Sequence, residues 1–103
     1  MKALRKVTPG EGHVELCEVS APDIGPGDVL MKVYAAGVCG SDLLIQEDRH
    51  FYRAPVTLGH EFSGVVEEVG SQVQDLKLGD MVTAEEMIWC GYCTPCRNGF
   101  PNH

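Results

Sequence analysis

Short alternating runs, frequent glycine and proline breaks and a single helix-like stretch predict a mainly β fold, a barrel or sandwich of about six short strands. In the first run Val14 and Leu16 alternate with His13, Glu15 and Cys17, which gives a strand over 13–19 ending before Ala21-Pro22-Asp23. Cys17 falls opposite Val14 and Leu16 and is assigned to packing. Ile24-Gly25-Pro26-Gly27-Asp28 is a turn, since glycine supplies unusual dihedrals and proline fixes its own. Val29 to Ala36 is apolar on both faces with only Lys32 interrupting, so this strand is expected to be central and covered on both sides. Residues 41–47 read as a helix: Ser41 can cap it, and Leu43, Leu44 and Ile45 follow without a breaker. Phe62 to Val69 is a further strand, in which Gly64 marks a bulge or a close backbone approach, and Gly70-Ser71 ends it. Leu76-Lys77-Leu78-Gly79-Asp80 then turns into a last strand over 81–84.

The bulk properties narrow the class. A chain of 103 residues, 44% apolar and 22% charged, suits one soluble globular domain with a modest core. A net charge of -7, with no Lys/Arg cluster, argues against a nucleic-acid surface. Apolar runs are too short to span a membrane. The segment from Met1 to Lys6 is basic, but neither an apolar stretch nor a cleavage site follows it, so it does not read as a signal peptide. Five cysteines without an export signal point to the cytoplasm and to metal ligation rather than disulfides. No Gly-x-Gly-x-x-Gly follows a strand, and Gly10-Glu11-Gly12 lacks the third glycine and a helix to open, so no dinucleotide-binding half is expected in this chain.

Two groups of residues carry chemistry. Cys39, in Cys39-Gly40-Ser41-Asp42, and the pair His60-Glu61 after Gly59 supply a thiolate, an imidazole and a carboxylate, the donors of open catalytic zinc sites. Each has a plainer reading alone: a small buried cysteine, a hydrogen-bonded structural histidine and a solvated acid. His60 and Glu61 are adjacent, and on a regular strand they would point to opposite faces. Both reach one metal only if Gly59 lets the backbone turn. Further on, Cys90, Cys93 and Cys96 recur at intervals of three, a spacing that lets a tight loop wrap one cation. Trp89 is assigned to packing and Glu85-Glu86 to a solvated pair at the base of this loop.

In these strings the chain resembles the N-terminal, GroES-like catalytic domain of the zinc-dependent medium-chain dehydrogenase/reductase family. The resemblance rests on residues 37–42, 55–66, 69–70, 78–82 and 90–99, which follow the family's order over nearly the whole chain. The Cys39-Gly40-Ser41-Asp42 form is most similar to the polyol, threonine and sugar-alcohol dehydrogenase branch. The resemblance implies a GroES-like, partly open β-barrel over residues 1–103 with short helices and a zinc-lobe loop from about 85 to 103. It implies that Cys39 and His60 ligate a catalytic zinc, with Glu61 beside it, directly or through water. Ser41 would hydrogen-bond the substrate oxygen and start a proton relay, and Asp42 would orient His60.

In the lobe the family uses four cysteines. The fourth position would be 104, so the lobe is expected to be incomplete in this chain, with His103 a candidate substitute beside Cys90, Cys93 and Cys96. The remaining catalytic ligand and the Rossmann domain that holds NAD or NADP are likewise expected beyond this chain. Many relatives carry a relay histidine just after the Cys-Gly-Ser/Thr-Asp string, where this chain has Leu43 and Leu44. The expectation is the front part of a zinc-dependent alcohol or polyol dehydrogenase, inactive in isolation. Its substrate would be a small alcohol, polyol or amino alcohol, and the intact enzyme a homo-oligomer. A free-standing zinc-binding structural or assembly module is the alternative, and a zinc-free quinone reductase relative is disfavoured by the six metal-type residues.

Overall fold

A computed structural model describes residues 1–101. Six strands and two helices lie among the described residues: β1 (Lys2–Lys6), β2 (Val14–Glu18), β3 (Val29–Ala36), α1 (Gly40–Gln46), β4 (Val56–Thr57), β5 (Phe62–Val69), β6 (Met81–Thr83) and α2 (Thr94–Arg97). The expected mainly β class with short helices is what is observed. The strands form two antiparallel three-stranded sheets, β2–β1–β4 and β3–β5–β6, which among the described residues stay open rather than closing into a barrel. No helix is long and apolar enough to cross a membrane among those residues.

The first sheet is aligned by charge as well as by backbone. Lys2 lies opposite Glu18 and Arg5 opposite Glu15, opposite-charge pairs that favour this register. β1 is not signalled by the sequence, because Lys2, Arg5 and Lys6 obscure its alternation. In the second sheet β3 and β5 pair along most of their length, with a register shift between Val33 and Ala35. Gly64 faces this irregularity across the pair, and a Cβ there would run into the Lys32 carbonyl and the Met31 side chain. The glycine therefore marks both a bulge and a close approach.

Two expectations need correction. Among the described residues β3 is an edge strand paired only with β5, and Val33 and Tyr34 are 52% and 65% exposed. Apolar residues on both faces show that a strand can be covered, whereas its place in a sheet depends on distant partners. The cap of α1 is Cys39 and not Ser41. Starting the helix at Gly40 places Asp42 three residues after the cap, where a carboxylate reaches back to the cap's own amide.

The other end of α1 is closed by a Schellman arrangement: Asp48 N–H donates to Ile45 O at 3.2 Å and Arg49 N–H to Leu44 O at 2.8 Å. Asp48 takes a left-handed φ of 61° there, a conformation that aspartate tolerates better than most residues. Lys6, at the end of β1, is fully buried against this helix end. Its Nζ donates to Gly12 O at 2.7 Å, to Gln46 O at 3.3 Å and to Gly10 O. Gln46 O also accepts from Gly12 N–H at 2.8 Å, and the ammonium lies 5.3 Å from the Tyr52 ring centroid. An ammonium at the C-terminal end of a helix is favoured by the exposed carbonyls and their dipole. Its burial is tolerable because its three protons have three acceptors.

Replacing Lys6 with Met leaves those carbonyls without their donor and is expected to destabilise the fold by about 3 kcal/mol or more. Urea unfolding measures this, and a loss below about 1 kcal/mol, the net worth of one ordinary hydrogen bond, would contradict the role given to the ammonium. Nearby, the Tyr52 hydroxyl accepts from Gly10 N–H at 3.2 Å and donates to Asp48 Oδ1. That hydroxyl holds the Asp48 carboxyl below its usual value and, reciprocally, raises the Tyr52 phenol. A depressed carboxyl contributes stability above its unfolded pKa, near 4, and loses it as pH falls through the folded value. The stability difference between the parent chain and Tyr52→Phe should therefore be larger at pH 7 than at pH 2.5. A pH-independent difference would rule out the linkage.

Candidate metal centre

The pairing of β3 with β5 brings the first group of residues together. Ala36, the last residue of β3, lies opposite Phe62, the first of β5, so the chain leaving β3 and the chain entering β5 meet at one end of the sheet. Gly37 N–H extends this pairing by donating to Glu61 O at 2.6 Å. Cys39 follows as the cap of α1, and His60 and Glu61 arrive from the other side after Gly59. Gly59 has a φ of +97°, the turn required for His60 and Glu61 to serve one centre. One donor atom from each of Cys39, His60 and Glu61 lies within 4.8 Å of the others. A Cβ on Gly37 would come within 2.6 Å of Glu61 Oε2 and 3.2 Å of its Cβ, so this glycine leaves the room Glu61 occupies.

Asp42 fastens the two segments. Its side chain is almost fully buried; Oδ2 accepts from Cys39 N–H at 2.9 Å and Oδ1 from Gly59 N–H at 3.4 Å. Oδ1 is 3.9 Å from His60 Nδ1, too far for a hydrogen bond. Asp42 thus acts on His60 chiefly through the backbone that carries it. The Ser41 hydroxyl, followed by its amide and by His60, holds the Cys39 thiol below its ordinary value, which favours the thiolate. Hydrogen bonding to Cys39 raises His60, burial opposes this, and the Glu86 and Asp42 carboxylates add to the rise. His60 and Cys39 are half-buried and Glu61 is exposed, so the cluster opens to one side.

The second group also converges. Sulfur atoms of Cys90, Cys93 and Cys96 lie within 4.8 Å of one another, with Cys90 Sγ 3.9 Å from Cys96 Sγ. Cys93 N–H points at Cys90 Sγ at 3.3 Å, and it, with the Tyr92 amide, lowers the Cys90 thiol to about 7. Cys96 is raised instead, first by its contact with the Cys93 thiol. Cys93 caps α2, whose Pro95 suits the first turn of a helix. His103 lies outside the described residues.

Several expectations concern neighbouring side chains. Trp89 is 58% exposed and does not fill a core, so its assignment to packing is corrected. Trp89 lies within the irregular segment that follows β6, which leaves no sheet to bury the indole. His50 turns to Phe51, with Nδ1 3.1 Å from the Phe51 carbonyl and the two rings edge to face. Glu86 is a neighbour of His60 that the sequence does not announce: its Oε2 is 3.6 Å from His60 Nε2. Only the pairing of β5 with β6 swings residue 86 back toward His60, and no local sequence signal announces it.

Both clusters have the donor chemistry of zinc: a thiolate, an imidazole and a carboxylate in the open one, thiolates alone in the lobe. Comparison with known proteins agrees with this. The chain is 46% identical to scyllo-inosose 3-dehydrogenase of Thermotoga maritima over 106 aligned positions, covering 88% of this chain and 27% of that protein. It is 47% identical to L-threonine 3-dehydrogenase of Bacillus subtilis, covering 96% of this chain and 29% of that protein. A crystal structure from Sinorhizobium meliloti 1021, assigned as a zinc-binding dehydrogenase and bound to NADP, superposes with a TM-score of 0.91 at 40% identity, covering 98% of this chain and 29% of that one. The chain therefore spans less than a third of the length of these proteins. Residues 25–103 match the alcohol dehydrogenase GroES-like domain, and the chain belongs to that family.

Proposed function

We propose that this chain provides the catalytic, metal-holding domain of a zinc-dependent, NAD(P)-linked dehydrogenase acting on a small alcohol, polyol or amino alcohol. The observation that carries this reading is the convergence of Cys39, His60 and Glu61 at the end of the β3–β5 pair. Its support from relatives is that they include scyllo-inosose, threonine and sorbitol dehydrogenases. When bound, zinc polarises the substrate's hydroxyl oxygen and NAD or NADP accepts the hydride.

Within this reading Cys39 and His60 hold the metal, and Glu61 sits on its exposed side as ligand or as partner of a bound water. Ser41 is next to Cys39, and its hydroxyl accepts the substrate's hydroxyl proton. Asp42 keeps Cys39 and Gly59 in register, and so keeps the ligand spacing fixed. Leu43 and Leu44 offer no proton carrier, so the proton passes from Ser41 to water or to a hydroxyl of the cofactor's ribose. Cys90, Cys93 and Cys96 form a separate structural zinc lobe. A further domain supplies the nicotinamide cofactor site and another ligand, which makes this chain inactive alone.

Zinc analysis of the purified chain tests the ligand assignment. Cys39→Ser is expected to lower bound zinc by about one equivalent and leave whatever zinc Cys90, Cys93 and Cys96 hold unchanged, because the lobe shares no ligand with the open site. Unchanged zinc in Cys39→Ser would overturn the site. The division of labour is tested by offering the zinc-loaded chain threonine, sorbitol or scyllo-inosose with NAD or NADP. No reduced cofactor is expected, and its formation would show that the chain is sufficient.

A further inference from the structure

Three glycines lie beside the candidate ligands in the chain, and they differ in what a side chain would meet. Gly59 makes a turn with a φ of +97°, and a Cβ on it would find nothing within 4 Å. Gly40 has the same open space. Gly37 is the opposite case. It takes no positive φ, so its backbone suits an L residue and only space excludes a side chain. A Cβ there would stand 2.6 Å from Glu61 Oε2 and 3.2 Å from Glu61 Cβ. Carbon atoms in ordinary contact are about 3.5–4.0 Å apart. The backbone around Glu61 is pinned: Glu61 O accepts from Gly37 N–H at 2.6 Å, and Phe62 O accepts from Thr83 Oγ1 at 2.7 Å. The Glu61 side chain is not pinned. The residue is exposed, and its carboxylate makes no hydrogen bond or ion pair among the described residues. A side chain at position 37 would therefore displace the carboxylate, the free end of a flexible chain, before it displaced the sheet.

We propose that Gly37 is a positioning residue for the metal centre: its bare α-carbon keeps open the space in which Glu61 turns its carboxylate toward Cys39 and His60. Any side chain at position 37 turns that carboxylate out to solvent. The proposal rests on the reading of Cys39, His60 and Glu61 as a metal site and adds what keeps the third donor in reach. Asp42 fixes Cys39 and Gly59 through amide bonds that Gly37 does not share, so the loss falls on Glu61 alone.

Cobalt(II) titration of the whole chain, followed by thiolate-to-metal and d–d absorption, tests the proposal with Gly37→Ala, Glu61→Ala and the two combined. The binding phase missing in Cys39→Ser belongs to the open centre. In Gly37→Ala that phase should weaken about tenfold or more, and its d–d band should match that of Glu61→Ala. Metal held by Cys90, Cys93 and Cys96 should be unaffected. The double variant should bind no more weakly than Glu61→Ala, because the carboxylate through which position 37 acts is gone. An unchanged open-site phase in Gly37→Ala, or an equal further loss in the double variant, would overturn the proposal alone. So would loss of the parent's circular dichroism in Gly37→Ala, since the carboxylate and not the backbone is to yield. Failure to find any Cys39-dependent phase in the parent would overturn the metal reading and the proposal together.

Discussion

The buried carboxylate of Asp42 ties together the two backbone segments that carry the candidate ligands. One oxygen takes the Cys39 amide and the other the Gly59 amide, so the cap of α1 and the turn before His60 are held at a fixed separation. Everything proposed for the site depends on that separation, because a tetrahedral metal accepts donors only within narrow distances. β3 and β5 bring the segments to the same end of a sheet, Gly37 and Gly59 clear the space and make the turn, and Asp42 sets the remaining distance. A carboxylate suits this task, since it accepts two amides at once and its charge strengthens both bonds.

A second polar interaction anchors the far end of the same helix. Few apolar side chains are fully buried among the described residues, Ala3 and Val66 being the core by that measure. With so little apolar burial, directional contacts matter more to which arrangement is adopted. Lys6 contributes one from β1, capping α1 and gathering the carbonyls of the Gly10–Gly12 turn. Helix α1, only seven residues long, is thus fixed at both ends by buried charge, Asp42 at its start and Lys6 at its finish. A short helix has little intrinsic stability in water. Its position, and with it Cys39 and Ser41, is set by these tertiary bonds.

Much of this was legible in the sequence. β3 and β5 could be bounded from apolar alternation and glycine breaks, and both cysteine-containing groups stood out by residue type and spacing. The need for a turn at Gly59 followed from the adjacency of His60 and Glu61, and its φ of +97° meets it. What escaped was non-local. The edge position of β3 depends on which strands find it, and the cap of α1 on whether a side chain three residues on can reach back. Lys6 looked like an ordinary basic residue near a terminus, because its burial requires two carbonyls of the Gly10–Gly12 turn and one from the far end of α1. Glu86 looked like half of a solvated pair, because only the path of β6 past β5 returns it to His60.

The two metal-type clusters differ in their donor sets. The lobe gathers sulfur alone around α2, a donor set suited to holding a metal firmly. The open cluster mixes three donor types beside the Ser41 hydroxyl, a set suited to exchanging a bound oxygen. The central claim is that Cys39 and His60 grip the same ion. Its most direct test is the alkylation rate of each cysteine by iodoacetamide, read by peptide mass spectrometry with and without zinc. Zinc should protect Cys39 in the parent chain and fail to protect it in His60→Ala, while Cys17 reacts alike throughout. Equal Cys39 reactivity with and without zinc in the parent would contradict a shared metal site.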